Sequence, residues 1–224
     1  LNHQTLTHNE AIIDFGEAKK KFLINIYNWR VSHPNEIIYI SLADITACFR
    51  FPRISADVTG AFGFIAENLY FISTSHVFGS NTSASSWEPL RRAIQHLIRI
   101  FSKKEDLVNK HRDLLDLLKW DDHPPLVLPA KLTKAHPCEL NQGLNANNEL
   151  TAVIYVDDIL GATVFKTNME RLLAATIEAI FTVCSQPNTA VRQCPLSLEK
   201  WDELTVGPIQ IVLGLVVDTN KMTV

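Results

Sequence analysis

The sequence predicts an α+β fold, an antiparallel sheet backed by helices, and three observations lead there. Amphipathic segments at helical spacing lie at 10–29, 88–101 and 167–184. Short β-branched runs lie at 36–45, 68–74, 150–156 and 158–164. The last two runs are separated by a single residue, as the arms of a hairpin are, so strands pair with each other as well as alternating with helices. That favours α+β over a doubly wound parallel sheet.

The elements follow in order. Residues 10–29 carry Ile12, Ile13, Phe15, Phe22, Leu23, Ile26 and Trp29 at roughly helical spacing, with Lys19, Lys20 and Lys21 on the solvated side. Pro34 and Asn35 make 33–36 a turn. EIIYISLADI, 36–45, reads as a buried strand ending in one aspartate, and NLYFIST, 68–74, as another. The loop HVFGSNTSASS, 76–86, supplies Ser86 as a cap for a helix over 88–101 with Pro89 in its first turn. Leu90, Ile94, Leu97, Ile98 and Phe101 form one face of that helix, and a charged amphipathic helix is expected over 103–120. Proline- and asparagine-rich residues 121–149 read as loop, followed by strands at 150–156 and 158–164. The helix at 167–184 takes Asn168 as cap and turns Leu172, Leu173, Ile177, Ile180 and Phe181 inward. Residues 207–224 read as a hairpin turning at Asp218-Thr219-Asn220.

Composition narrows the classes of function. A chain of 224 residues, 46% hydrophobic and 20% charged, has length enough for a sizeable core. It contains no run of 18 apolar residues and no basic-then-apolar leader, so neither a transmembrane helix nor a signal peptide is expected. A net charge of −3 argues against a broadly basic nucleic-acid surface, so any such role rests on local patches or metal ions. Cys48, Cys138, Cys184 and Cys194 form no CxxC pair, which points to reduced intracellular thiols. The first residue is not Met and the last ones read as mid-strand, so a piece of a longer polypeptide is expected. The helix-face cations Lys19–Lys21, Arg91, Arg92 and Arg99 are read as solvated.

The chemistry concentrates in AVIYVDDILGA, 152–162, where Asp157 and Asp158 interrupt an apolar stretch. Burying one unpaired carboxylate is costly, and two adjacent ones repel as well. A divalent cation offsets both costs. Asp44, at the end of the strand in SLADITACF, is the natural third ligand. Three such carboxylates suit two Mg²⁺ (or Mn²⁺) ions about 3.5–4 Å apart, the arrangement that activates an attacking oxygen and stabilises a leaving one in phosphoryl transfer. The second pair, Asp121-Asp122 in KWDDHPP, lacks flanking apolar strands and reads as solvated. His111, His123, His136 and Cys138 form no ligand set and read as surface or loop residues.

YVDDIL at 155–160 resembles the YxDD box of reverse transcriptases in the form common among retrotransposons. Its neighbours are similar too: LADITACF, VFGSNTSASSWEPLRRAI, AVIYVDDILGA and IVLGLVVDTNKMTV occur in that family's order across 41–224. The resemblance implies a palm with partial fingers over 1–224, an insertion at 102–149, and a thumb beyond residue 224. It implies an RNA-directed DNA polymerase working on an RNA template, a DNA primer and dNTP with two Mg²⁺ or Mn²⁺ ions. It implies an intracellular setting, cytoplasm or nucleus, no membrane, and the rest of a retroelement polyprotein as partner. By the same resemblance Asp44, Asp157 and Asp158 are catalytic and metal-binding, and the Ile45 carbonyl joins the metal. Phe49 crowds the sugar 2′ position. Phe78, Gly79 and Tyr155 lie by the nucleotide and primer end, with Ser83 and Trp87 on small and aromatic positions of the same segment. Leu213 and Gly214 form the primer grip, and Lys200 stands where a lysine can protonate pyrophosphate. The sequence departs from the pattern in lacking a Lys/Arg pair for the triphosphate. Two rivals remain: a catalytically inactive or domesticated remnant acting as a binding module, and another two-metal phosphotransferase such as a nuclease.

Overall fold

The computed structural model describes residues 12–13, 16–77, 79–80, 82–122, 149–188 and 193–224. Its centre is a three-stranded antiparallel sheet of β1 (Ile38–Asp44), β5 (Ala152–Tyr155) and β6 (Asp158–Val164) in the order β1-β6-β5. Register runs from Ile38 opposite Val164 to Asp44 opposite Asp158, and from Ala152 opposite Gly161 to Tyr155 opposite Asp158. From Ile159 to Val164, β6 is buried throughout, which is why it reads as a continuous apolar run rather than an alternating one. Three helices pack on this sheet: α1 (Ala18–Ser32), α2 (Ser83–Phe101) and α5 (Lys166–Cys184). An α+β architecture of small antiparallel sheets and helices is therefore present.

Gly161 marks the closest approach of layers. A Cβ there would meet Ser41 Oγ at 2.5 Å and Leu172 Cδ2 at 3.0 Å, so only a glycine lets α5 lie against the β1–β6 seam. Ile94, Ile98, Leu172, Leu173, Ile177 and Ile180 are buried in the core, as the helical spacing requires. Leu90, Leu97 and Phe101 pack at its edge.

Several boundaries differ from the sequence reading, each for a local physical reason. α1 begins at Ala18, just past Gly16, because glycine is poor in a helix interior. It continues to Ser32, where the buried Arg30 guanidinium donates to the carbonyls of His33, Pro34, Glu36 and Thr219. α2 starts at Ser83 rather than after Ser86, so Ser86 lies within the first turn and Pro89 in the second. Ser83 Oγ and Ser85 Oγ donate to the carbonyls of Val77 and Thr82, which ties the loop to the new start. The single helix expected over 103–120 is instead α3 (Asp106–Lys110) and α4 (Arg112–Leu115), followed by β4 (Lys119–Trp120). The break falls at His111, whose buried ring lies 2.8 Å from Glu178 Oε2 and edge-on to Phe181. His111 is thus a core residue, not a surface one; tertiary packing overrides helix propensity there. At α5 the cap position is Phe165, with φ 65°, and Asn168 donates its amide to the Val164 carbonyl rather than capping.

The C-terminal hairpin, β8 (Ile209–Val212) and β9 (Leu215–Asp218), turns at Leu213-Gly214 and not at 218–220. Both turn residues have positive φ, 49° and 79°, the conformation that two-residue hairpin turns require. Asp218, Thr219 and Asn220 are buried instead, and Thr219 Oγ1 donates to the carbonyls of Ile38 and Pro208. Ahead of the hairpin, α6 (Leu198–Asp202) leads to β7 (Thr205–Val206), which pairs in parallel with β4. A separate hairpin pairs β2 (Gly63–Ala66) with β3 (Leu69–Ile72) and turns at Glu67-Asn68; β3 lies within the predicted 68–74 strand, and β2 precedes it. Asp122 is largely exposed and accepts a hydrogen bond from Tyr39. Among the described residues no helix is long and apolar enough to cross a membrane.

Candidate functional site

The β5–β6 hairpin is the element that builds the site. Ala152, Val153 and Ile154 anchor its first arm in the core, and Tyr155, 37% exposed, ends that arm at the surface. The turn is Val156-Asp157, and Val156 has φ 56°. A β-branched residue in this region costs on the order of 1–3 kcal/mol and persists only where its surroundings over-determine it. Two hydrogen bonds do so. Fully buried Trp87 donates its indole N–H to the Val156 carbonyl at 2.7 Å, and the Ile45 amide donates to the Asp157 carbonyl at 3.0 Å. The second bond joins the turn to the chain just after β1.

Register then brings the acids together. Asp44 ends β1 directly opposite Asp158, the first residue of β6, and Asp157 precedes it in the turn. One carboxylate oxygen from each of Asp44, Asp157 and Asp158 lies within 4.8 Å of the others. Asp44 is buried, while Asp157 and Asp158 are half-buried. Burial, then the charges on Asp157 and Asp44, push the Asp158 carboxyl up to about 6, with Lys200 opposing. Asp157 is also raised, chiefly by burial and then by Asp44, against a backbone hydrogen bond and Lys200. Lys200 Nζ donates to Asp44 Oδ1, and that bond holds its ammonium above the usual lysine range.

The surrounding shell is structural. Cys48, just after the site strand, has its thiol pushed up to about 12 by burial and the neighbouring Asp157 and Asp44 charges, so it stays protonated and is no nucleophile. Ile45 is fully buried and locks β1 to the turn. Phe49 sits half-buried in a short 3₁₀ turn, Cys48–Arg50, packed against the core. Gly79 has φ 92° and open space around its Cα, so its backbone conformation is what calls for glycine. Phe78 lies outside the described residues. Leu213 and Gly214 form the tip of the β8–β9 hairpin, and the segment leading into it meets β1 at the Ile40–Gly207 bridge.

One network differs from what the sequence suggests. Arg91 is buried, not solvated, and its guanidinium grips the fully buried Glu88 at 2.6 and 2.8 Å. It also donates to the Ile154 carbonyl at 3.3 Å, directly beneath the YVDD arm. Arg92 makes a second bond to Glu88, and the two guanidinium groups hold that carboxyl below its ordinary range against burial. The i,i+3 and i,i+4 spacing of Glu88, Arg91 and Arg92 was the available signal. The Trp87 bond to the strained turn had no signal in periodicity. Comparison with protein-family models, curated proteins and solved structures gives no match.

Proposed function

We propose that this chain carries the palm of a retrotransposon-type RNA-directed DNA polymerase, transferring a nucleotide from dNTP to a primer 3′-OH. The observation that carries the reading is the gathering of Asp44, Asp157 and Asp158 within 4.8 Å at the rim of one sheet. Hard carboxylate oxygens are the donors that Mg²⁺ and Mn²⁺ prefer, and a cluster of three acids against one ammonium has anionic charge to spare. The donor set therefore fits such ions, with Asp44, Asp157, Asp158 and the Ile45 carbonyl as holders. When bound, two ions supply activation of the attacking hydroxyl and stabilisation of the departing pyrophosphate. In this reading the residues of the chain position and exclude. Trp87 and Ile45 keep the acids at fixed separation, which is what preorganised catalysis needs. Phe49 crowds the sugar 2′ position, Gly79 and Tyr155 serve the nucleotide and primer end, and Leu213-Gly214 grips the primer. An RNA template, a DNA primer and the rest of a retroelement polyprotein are its partners, inside the cell.

Primed poly(rA) with dTTP tests this. Extension in Mg²⁺ or Mn²⁺ that disappears in Asp157→Asn supports the reading; equal extension by that variant defeats it. A second reading is a domesticated remnant that binds without catalysis. It is favoured by the Lys200 ammonium on Asp44 and by the net charge of −3.

A further inference from the structure

We infer that the Lys200 ammonium is a displaceable counter-ion of the acidic centre. It neutralises Asp44 while no divalent cation is bound and leaves the carboxylate when one binds. The inference rests on the triad being a cation site. Among the described residues Lys200 is the one cation that forms an ion pair with any of the three acids, and its partner is Asp44. It donates to Asp44 Oδ1, and a divalent cation held by the three acids would draw on the same carboxylate, so the two compete.

The mounting of the lysine suits a removable charge. Its side chain is 65% exposed, against 10% for Asp44, so the ammonium reaches in from the solvent side. The helix that carries it is fixed independently. Trp201 is buried and donates its indole N–H to the Leu114 carbonyl at 2.8 Å. The Ser197 amide donates to the Asp44 carbonyl at 2.9 Å, and the Thr46 amide to the Pro195 carbonyl at 2.8 Å. Lys200 can swing into water on its flexible stem without unpacking any of this. A partly exposed ion pair is worth little, so it yields to a doubly charged ion held by three carboxylates. An arginine there, with its planar fork, would be harder to displace.

Mn²⁺ binding, read by water-proton relaxation, tests the inference in the wild type, Lys200→Met, Lys200→Arg and Asp157→Asn. Removing the competing charge is expected to tighten Mn²⁺ about tenfold in Lys200→Met, while Lys200→Arg binds more weakly than Lys200→Met. Lysine acetylation of the wild type, mapped by mass spectrometry, needs no mutation. Adding Mn²⁺ is expected to raise modification of Lys200 several-fold relative to Lys103 and Lys221. If Lys200→Met binds Mn²⁺ no tighter, or if Mn²⁺ leaves Lys200 acetylation unchanged, the counter-ion role is overturned. Mn²⁺ binding lost in Asp157→Asn would then leave the cation site standing. If the wild type and both lysine variants bind no Mn²⁺, the cation site itself falls and the inference with it.

Discussion

Replacing Asp158 with asparagine should stabilise the metal-free chain at neutral pH. The Asp158 carboxyl is lifted from 3.8 to about 6 by burial and by two neighbouring acids. At about 1.4 kcal/mol per pH unit, ionising it in the fold costs about 3 kcal/mol, or about 2 after allowing for the water that still reaches a half-buried group. Because the folded-state value is the higher one, the folded chain holds more protons between pH 4 and 6. Stability from this group is complete below pH 4 and is lost as pH rises through 6. Asparagine matches the carboxylate in shape and carries no charge, so it escapes the loss. Thermal melts in EDTA should place Asp158→Asn about 4–8 °C above wild type at pH 7.5, and the gap should close at pH 4. Saturating Mg²⁺ should raise the wild type at pH 7.5 and leave the variant unmoved. A variant less stable than wild type at pH 7.5, or a gap indifferent to pH, would show that the three acids do not strain the fold and would remove the electrostatic case for a cation.

Other outcomes follow from the same geometry. Trp87→Phe leaves the Val156 carbonyl without its indole donor and should cost about 1–3 kcal/mol in denaturant unfolding while weakening Mn²⁺ binding, since the turn positions Asp157. Gly161→Ala forces a methyl against Ser41 and Leu172 and should cost about 1–3 kcal/mol by the same assay; a neutral result would deny the tight β6–α5 approach. Glu88→Gln strands the buried Arg91 charge and should cost about 3–5 kcal/mol at pH 7. Because the Glu88 carboxyl is held low in the fold, its stabilisation is present above the ordinary glutamate range and is lost as pH falls through the lowered value. The penalty in Glu88→Gln should therefore shrink in acid, which urea titrations at pH 7 and pH 3 would show.

Much of the fold is legible in residue pattern where the pattern has one cause. β5, β6 and α5 were readable almost to the residue, because uninterrupted apolar runs and a clean 3.6-residue period leave no competing structure. Legibility ended where distant contacts decide. His111 breaks a well-formed amphipathic helix because Glu178 and Phe181, far along the chain, hold its ring. Leu213 takes a positive φ that no turn rule assigns to leucine, while the conventional turn residues Asp218, Thr219 and Asn220 are drawn inward by the Ile38 and Pro208 carbonyls. At the site, the misplacement of two carboxylates in an apolar run was enough to single out Asp157 and Asp158. Asp44 follows from chemistry alone, and the β1–β6 register sets it opposite Asp158. The supports were not legible: Trp87 and Arg91 act on backbone carbonyls, and sequence carries no mark for an acceptor in another strand.

Calorimetric titration of dTTP into the chain is the most direct test of the central claim that this acidic rim handles nucleotide through divalent ions. The account predicts uptake in Mg²⁺ that vanishes in EDTA and in Asp157→Asn. Uptake of equal strength in EDTA, or none in Mg²⁺, would contradict it.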